Sequence, residues 1–202
     1  SKTDKPVDPE FVELREKWLN NLLGGTLDTG NQAVVTYITG LDEKAGEYWS
    51  SMIKSDDASR TNLWSDLDMS YIAGTGAKAK VHSGNVAQTF YRLKDMAIAW
   101  ATEGCALYQN DELKEELIRA LDFMNENHYS SSDDKTPFFG NWWHWEIGGP
   151  IAFMDTALIL YDDLTLKQIT NYAAAVNRFT NVCDKPSGYP GSPAMTGANL
   201  ID

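Results

Sequence analysis

Apolar residues recur every three or four positions through most of this chain, and that period limits what it can become. Phe11, Leu14, Trp18 and Leu22 make one stripe, and Val34, Ile38, Leu41, Ala45, Tyr48 and Met52 a second. Phe90, Leu93, Ala97, Trp100 and Ala101 carry a third. Leu113, Leu117, Leu121 and Met124 carry a fourth, and Ile169, Tyr172, Ala173, Val176 and Phe179 a fifth. Residues so spaced share one face of an α-helix. No stretch shows the alternation of a half-buried strand. The spacing predicts an all-α chain of about six helices whose short connections make neighbours antiparallel. Such antiparallel helical hairpins build a ring or a stack. The stripes alone do not separate a toroid from a bundle.

The punctuation agrees with the stripes. Asp8-Pro9 reads as a helix cap followed by proline at the first helical position, and Gly24-Gly25 as that helix's end. Asn31 caps a second helix, which Gly40 and Gly46 weaken. Ser55 to Ser59 is a loop, and Arg60 to Trp64 is expected to begin a short helix. A long helix is expected from about Asn85 to Tyr108. Asn110 caps the next, with Asp111 and Glu112 in its first turn, where the helix dipole favours them. Tyr129 to Lys135 is a polar loop, and Pro150 is expected to start a helix running through Tyr161. Thr165 and Gln168 form a capping box for the last helix. From Cys183 to Asp202 the pattern breaks into a long segment rich in proline and glycine, and loops of that length are usually functional or disordered.

Charge and composition exclude several functions. The 202 residues carry a net charge of −12, with an isoelectric point of about 4.6. Phosphate binding needs clustered Lys and Arg, so nucleic acid is excluded as a partner. An acidic polymer would need a locally basic groove, or cations from another part of the protein. Mean hydropathy is −0.39, and no apolar run approaches the ~18 residues of a membrane span. Gly74-Thr75-Gly76-Ala77 lacks both the Gly-Lys-Ser/Thr ending and the preceding strand of a phosphate loop. Cys105, in an apolar helical setting, reads as a buried free thiol, and the spacing leaves a pairing with Cys183 open. His82, His128 and His144 are scattered, with no ligand spacing for a metal. Neither a metal nor another cofactor is expected.

The candidate functional stretch is Asn141-Trp142-Trp143-His144-Trp145-Glu146-Ile147-Gly148-Gly149-Pro150. Three of the seven tryptophans fall within four positions there, behind Phe138 and Phe139. Tryptophans are usually packing residues. A run this dense cannot hide every ring on one helical face, so some must line a groove. Broad, stiff rings with one polar N–H suit the flat apolar faces of sugars.

As it stands, Asn141 to Gly148 resembles the signature of polysaccharide lyase family 8, the enzymes that cleave hyaluronan, chondroitin and xanthan. The likeness extends along the chain. Phe11 to Gly25 resembles the family's opening helix, Ser59 to Trp64 its Arg-x-x-Leu-Trp segment, and Tyr91 to Ala97 the helix that follows. Leu160-Tyr161-Asp162-Asp163 is similar to a stretch of xanthan lyases. Thr196-Gly197-Ala198-Asn199 resembles the segment that holds the catalytic asparagine. The resemblance implies an incomplete (α/α) toroid followed by β-sandwich domains, in a secreted bacterial enzyme. Residues 1–202 would be the N-terminal portion of that toroid. The catalytic tyrosine and histidine would come from the remaining part of the lyase, on the same or a separate chain.

The resemblance also implies roles. Asn199 would be catalytic, Trp142 and Trp143 would stack the sugars, and Asn141 would bond a sugar or hold the loop. His144 is a further binding candidate, although a histidine among tryptophans is more often a packing residue. Glu146 is read as ordering the local backbone or a helix start. Arg92 is a candidate for a substrate carboxylate, against the commoner solvated or structural arginine. The chemistry would be β-elimination on a uronate. An amide donor offsets the charge that grows on the carboxylate while a base removes the C5 proton and an acid protonates the leaving oxygen. One departure concerns the aromatic residue that precedes the asparagine in some hyaluronan lyases: here only Tyr189 is nearby, which counts against hyaluronan-type binding. Two other readings stay open at this point. One is a non-catalytic carbohydrate-binding helical domain. The other is a glycoside hydrolase, which would need a pair of carboxylates in the groove.

Overall fold

The computed structural model describes residues 1–5 and 7–180. Asn199, Cys183 and the rest of the Pro/Gly-rich segment lie outside the described residues. Six α-helices follow one another: α1 (Pro9–Leu23), α2 (Gln32–Ser51), α3 (Ala77–Ala101), α4 (Asp111–Asn127), α5 (Gly149–Ile159) and α6 (Leu166–Thr180). No strand occurs among the described residues.

The caps expected from sequence set the helix ends. Asp8 accepts from Glu10 N–H at 2.9 Å, Asn31 from Ala33 N–H at 2.9 Å, and Asn110 from Leu113 N–H at 2.9 Å. Thr165 and Gln168 bond reciprocally: Thr165 N–H donates to Oε1 at 2.8 Å, and Gln168 N–H donates to Oγ1 at 3.2 Å. Gly24 closes α1 in the left-handed region, at φ 74°. The helix α2 runs unbroken through Gly40 and Gly46.

Three expectations need correction. The helix α3 begins at Ala77, not near Asn85, and ends at Ala101, not Tyr108. Its polar first turns do not read as helix because distant segments bury them: the Gly140–Asn141 loop covers Ala79 and Ser83, and His82 Nδ1 meets the Ser70 carbonyl at 2.9 Å. Past Ala101 the chain turns over Gly104, at φ 102°, and Ala106 N–H donates to Asp42 of α2 at 2.7 Å. Arg60 to Trp64 forms no helix. Leu63 and Trp64 are adjacent and both buried, and their groups bond outward. Ile53 N–H donates to the Leu63 carbonyl at 2.8 Å, and Trp64 Nε1 to the Tyr48 carbonyl at 3.0 Å. In α1 no residue is buried, and Leu14 of its expected inner stripe is exposed.

Helix directions follow from which residues meet. Lys44 pairs with Asp95 and Ile38 faces Gly104, so α2 and α3 are antiparallel. Phe90 packs on Tyr129, just past α4, while Phe153 meets Tyr172 and Trp145 meets Phe179. Thus α4 runs against α3, and α6 against α5. Lys94 pairs with Asp155 and Gly84 meets His144, so α3 and α5 are parallel neighbours. Hairpins therefore alternate between two layers, with α3 and α5 side by side in one. The core lies between them: thirteen of the 25 residues of α3 and nine of the 11 of α5 are buried, which leaves neither an open polar face. Cys105 sits in this core as a free thiol, and burial pushes it up to about 11.

The helix α1 is a strap on this core. Trp18 Nε1 donates to buried Asp155 at 2.8 Å, and Lys94 pairs with the same carboxylate at 2.9 Å. Arg15 lies over the Tyr161 ring at 3.9 Å.

Candidate functional site

Pro150 explains the shape of the aromatic stretch. It has no N–H to give to the carbonyl four residues back, and its ring crowds that position. The backbone instead widens into a π-helical turn, His144–Gly148, closed by Gly149 N–H on the His144 carbonyl. Pro150 stands in the first turn of α5, as its sequence setting predicts, but the helical run also extends back ahead of it. That run begins at Trp142, passes through the π turn and continues as α5. Widened turns of this kind are frequent at functional sites.

The turn divides the four aromatic and histidine rings. Trp145 is 1% exposed, and its Nε1 donates to the Phe139 carbonyl at 2.6 Å. Its own carbonyl accepts from the Tyr129 hydroxyl at 2.7 Å. The rings of Tyr129 and Phe179 lie nearly parallel to it, at 6.0 and 5.1 Å. Glu146 is 1% exposed as well, so it faces the protein and not a groove. Trp142 is half-buried, and Trp143 is 40% exposed. These two tryptophans form the outer face.

Asn141 holds the entry to this run. Its Oδ1 accepts from Trp143 N–H at 3.1 Å, and its own N–H donates to Ser83 Oγ of α3 at 3.0 Å. Gly140 makes that approach possible. Its φ is 71°, and a Cβ there would lie 2.2 Å from Ser83 Oγ and 2.4 Å from the Ala79 carbonyl. Behind the stretch, Arg178 of α6 fixes the loop that leads in. It donates to the Ser130, Ser132 and Thr136 carbonyls and to Thr136 Oγ1, and it pairs with Asp133.

His144 is half-buried and its ring stands perpendicular to that of Trp143, 5.6 Å away. Its Nε2 faces Gly84 of α3, and its buried Nδ1 has no hydrogen-bond partner among the described residues. Burial alone pushes it below the ordinary histidine range. Beside it, Gly148 leaves a notch where Trp143 and Tyr91 meet: a Cβ on Gly148 would lie 2.5 Å from Trp143 Cζ3 and 2.3 Å from Tyr91 Oη.

Arg92 does not join this group. Its guanidinium forks onto Asp66 at 2.9 and 2.6 Å and lies over the rings of Tyr48 and Trp64 at 5.1 and 5.3 Å. The fork holds the Asp66 carboxyl below the usual range. Of the sequence candidates, then, Asn141, Trp142, Trp143 and His144 come together, Arg92 is engaged elsewhere, and Asn199 lies outside the described residues. Sequence reasoning missed Ser83, Gly84 and Tyr91 on α3 and the notch at Gly148. The available signal was Gly84, a glycine inside a helical pattern, which often marks close packing.

Residues 18–202 match the model of "polysaccharide lyase family 8, N terminal alpha-helical domain". The chain belongs to polysaccharide lyase family 8. It is similar to a xanthan lyase of Bacillus sp. (strain GL1), 35% identical over 94% of this chain but only 18% of that protein. A hyaluronate lyase of Enterococcus faecalis is 32% identical over 89% of this chain and 17% of its own length. Among solved structures, Paenibacillus xanthan lyase superposes with a TM-score of 0.74 at 33% identity, covering 93% of this chain and 16% of that one. A Streptomyces coelicolor chondroitin AC lyase in complex with chondroitin sulphate gives 0.70 at 26% identity, covering 86% and 21%. The chain thus spans under a fifth of the first two curated relatives. Its antiparallel hairpins are part of an incomplete (α/α) toroid, as the family resemblance implied.

Proposed function

We propose that this chain is the N-terminal part of the catalytic toroid of a polysaccharide lyase, a carbon–oxygen lyase. The enzyme would cleave a uronic-acid-containing polysaccharide such as hyaluronan, chondroitin or xanthan by β-elimination and leave unsaturated uronate ends. One observation carries the reading within the chain: a π turn at Pro150 lifts Trp143 out of a stretch whose other end, Trp145 and Glu146, is buried. A core does not need an indole held in the open by a capped turn, and a sugar-stacking face does.

In this reading Trp142 and Trp143 stack the sugar units. Asn141 fixes the turn that presents them, and its Nδ2, which bonds no described residue, is left to donate to a sugar. His144 backs the Trp143 ring. Arg92, forked onto Asp66, acts through the scaffold and not on the substrate. Lys78 and Lys80, in the first turns of α3 beside Gly140, form no ion pair among the described residues and supply local positive charge for an acidic polymer. Asn199 donates its amide to the uronate carboxylate and offsets the charge that develops there. The remainder of the protein supplies the base that takes the C5 proton and the acid that protonates the leaving oxygen. Buried Glu146 offers no carboxylate to a groove, which favours elimination over hydrolysis. No described helix is long and apolar enough to cross a membrane. A polymeric substrate is met outside the cell, so the enzyme would act there.

The test is the ultraviolet absorbance of the unsaturated uronate. The full-length protein, given hyaluronan, chondroitin and xanthan in turn, should raise it with at least one polymer, and Asn199→Ala should abolish the rise. Full activity in Asn199→Ala would remove Asn199 from the mechanism. Sugar-dependent quenching of tryptophan fluorescence, with no product from any polymer, would leave a binding domain and no lyase.

A further inference from the structure

Tyr91 stands beside the exposed indole with its polar end unengaged. Two fully buried tyrosines use their hydroxyls within the protein, Tyr129 on the Trp145 carbonyl and Tyr172 on Asp122, whereas Tyr48, Tyr91 and Tyr161 bond no described residue through theirs, and of these three only Tyr91 adjoins the exposed indole. Nor is the Tyr91 hydroxyl among the buried side-chain polar atoms left without a partner in the described residues, Trp100 Nε1 and His144 Nδ1, so it is not sealed from solvent. The ring itself is half-buried on α3. Its hydroxyl and the Trp143 ring edge both lean into the notch over Gly148, where any side chain would drive them apart. Burial of the ring raises the phenol above its ordinary value, so it stays neutral and can donate.

We propose that Tyr91 is a further substrate-binding residue of this site. With one sugar unit stacked on Trp143, the Tyr91 hydroxyl hydrogen-bonds a hydroxyl group at the rim of that unit and discriminates between polymers that differ there. A packing role would be served equally well by phenylalanine. A hydroxyl at the ring edge that is not sealed from solvent is what a polar ligand stacked on Trp143 would meet. The proposal rests on the reading of the chain as part of a polysaccharide lyase, and it adds to that reading a residue outside the aromatic stretch.

The experiment uses the full-length enzyme and the polymer it cleaves. Tyr91→Phe keeps the ring and removes one hydrogen bond, so KM should rise about three- to tenfold, the range for a neutral hydrogen bond, with kcat changed less. The thermal midpoint should not move. Tyr108→Phe, an exposed tyrosine beyond the far end of α3, should match the wild type. An unchanged KM in Tyr91→Phe would overturn the proposal while leaving the lyase reading intact. If the wild type turns over no polymer, the lyase reading falls. Tyr91 is then judged by fluorescence titration with the same three polymers, where equal affinity in wild type and Tyr91→Phe, or no binding by either, overturns it.

Discussion

Trp143 and Trp145 are two residues apart in the chain and at opposite ends of the range of burial, 40% exposed against 1%. Trp145 is fastened by its indole N–H to the Phe139 carbonyl, by its own carbonyl to the Tyr129 hydroxyl, and by its ring against Tyr129 and Phe179. Trp143 is held at its backbone by Asn141 and at its edges by His144 and the Gly148 notch, and its remaining surface is open. The same residue type therefore does two jobs. The inner indole makes the turn rigid, and the outer one is presented by that rigidity. A binding surface built on rings needs both, because an indole that swings freely loses rotamer freedom when a sugar lands on it.

Removing the inner ring should have the largest effect. Trp145→Ala empties the space beside the packed Tyr129 and Phe179 rings and leaves the Phe139 carbonyl without its donor. A loss of about 3–5 kcal/mol is expected, as for other large core truncations. Urea denaturation of the full-length protein and of this variant measures it. A loss under about 1 kcal/mol, the scale of a surface substitution, would show that the inner half is not the anchor.

Gly140→Ala attacks the joint between the halves and α3. The new Cβ would meet Ser83 Oγ and the Ala79 carbonyl, and the alanine would also sit at a φ of 71°. Overpacking of this kind costs about 1–3 kcal/mol. Because the loop must shift to relieve it, affinity for the polymer should fall along with stability. Wild-type affinity in a destabilised Gly140→Ala would separate the platform from the joint.

Trp143→Ala makes the complementary cut. Its inner edge packs on His144 and Gly148 while 40% of the residue is exposed, so stability should fall by about 1 kcal/mol, well short of the loss in Trp145→Ala. Polymer binding should weaken severalfold, read as KM or as fluorescence-titrated affinity. A large stability loss with unchanged KM would reverse the assignment of the two indoles.

Much of the scaffold was legible because its signals are local. Asp8-Pro9, Asn31, Asn110 and the Thr165–Gln168 box each place a side-chain oxygen within reach of a backbone N–H two or three residues on, so the cap is encoded within one turn. The errors arose where distant contacts decide. Ala79 and Ser83 are helical and buried because the Gly140–Asn141 loop covers them from 58 residues away, as the Asn141 to Ser83 bond shows, and His82 is buried beside Ser70. Leu63 and Trp64 are both inside because their carbonyl and indole bond the end of α2. In the site, the density of rings marked the right stretch but not which ring faces out. That depends on the phase shift of the π turn, which follows from Pro150 and the two glycines before it, and no apolar period reports it. Tyr91 was invisible as a site residue because the notch that joins it to Trp143 is made by Gly148, a residue with no side chain.

The smallest expected effect concerns His144, and it sharpens the outer half of the comparison. Burial depresses its folded-state value below the ordinary histidine range, so the unfolded chain takes up the proton first as pH falls. The stability His144 contributes is full above about pH 6.5, the unfolded value, and is lost as pH drops from there through the folded value. His128, also depressed by burial and bonded to the Thr61 carbonyl, loses stability in the same direction. His144→Gln should therefore lose less stability than the wild type between pH 7.5 and pH 5.5, with the remaining loss due in part to His128. Urea midpoints at the two pH values report the difference, and equal losses in both proteins would show that His144 is not held neutral by its surroundings. The sign matters for binding. A histidine kept neutral cannot attract a uronate carboxylate as a cation at neutral pH, so its contribution to the outer face is the ring wall that holds Trp143 in place.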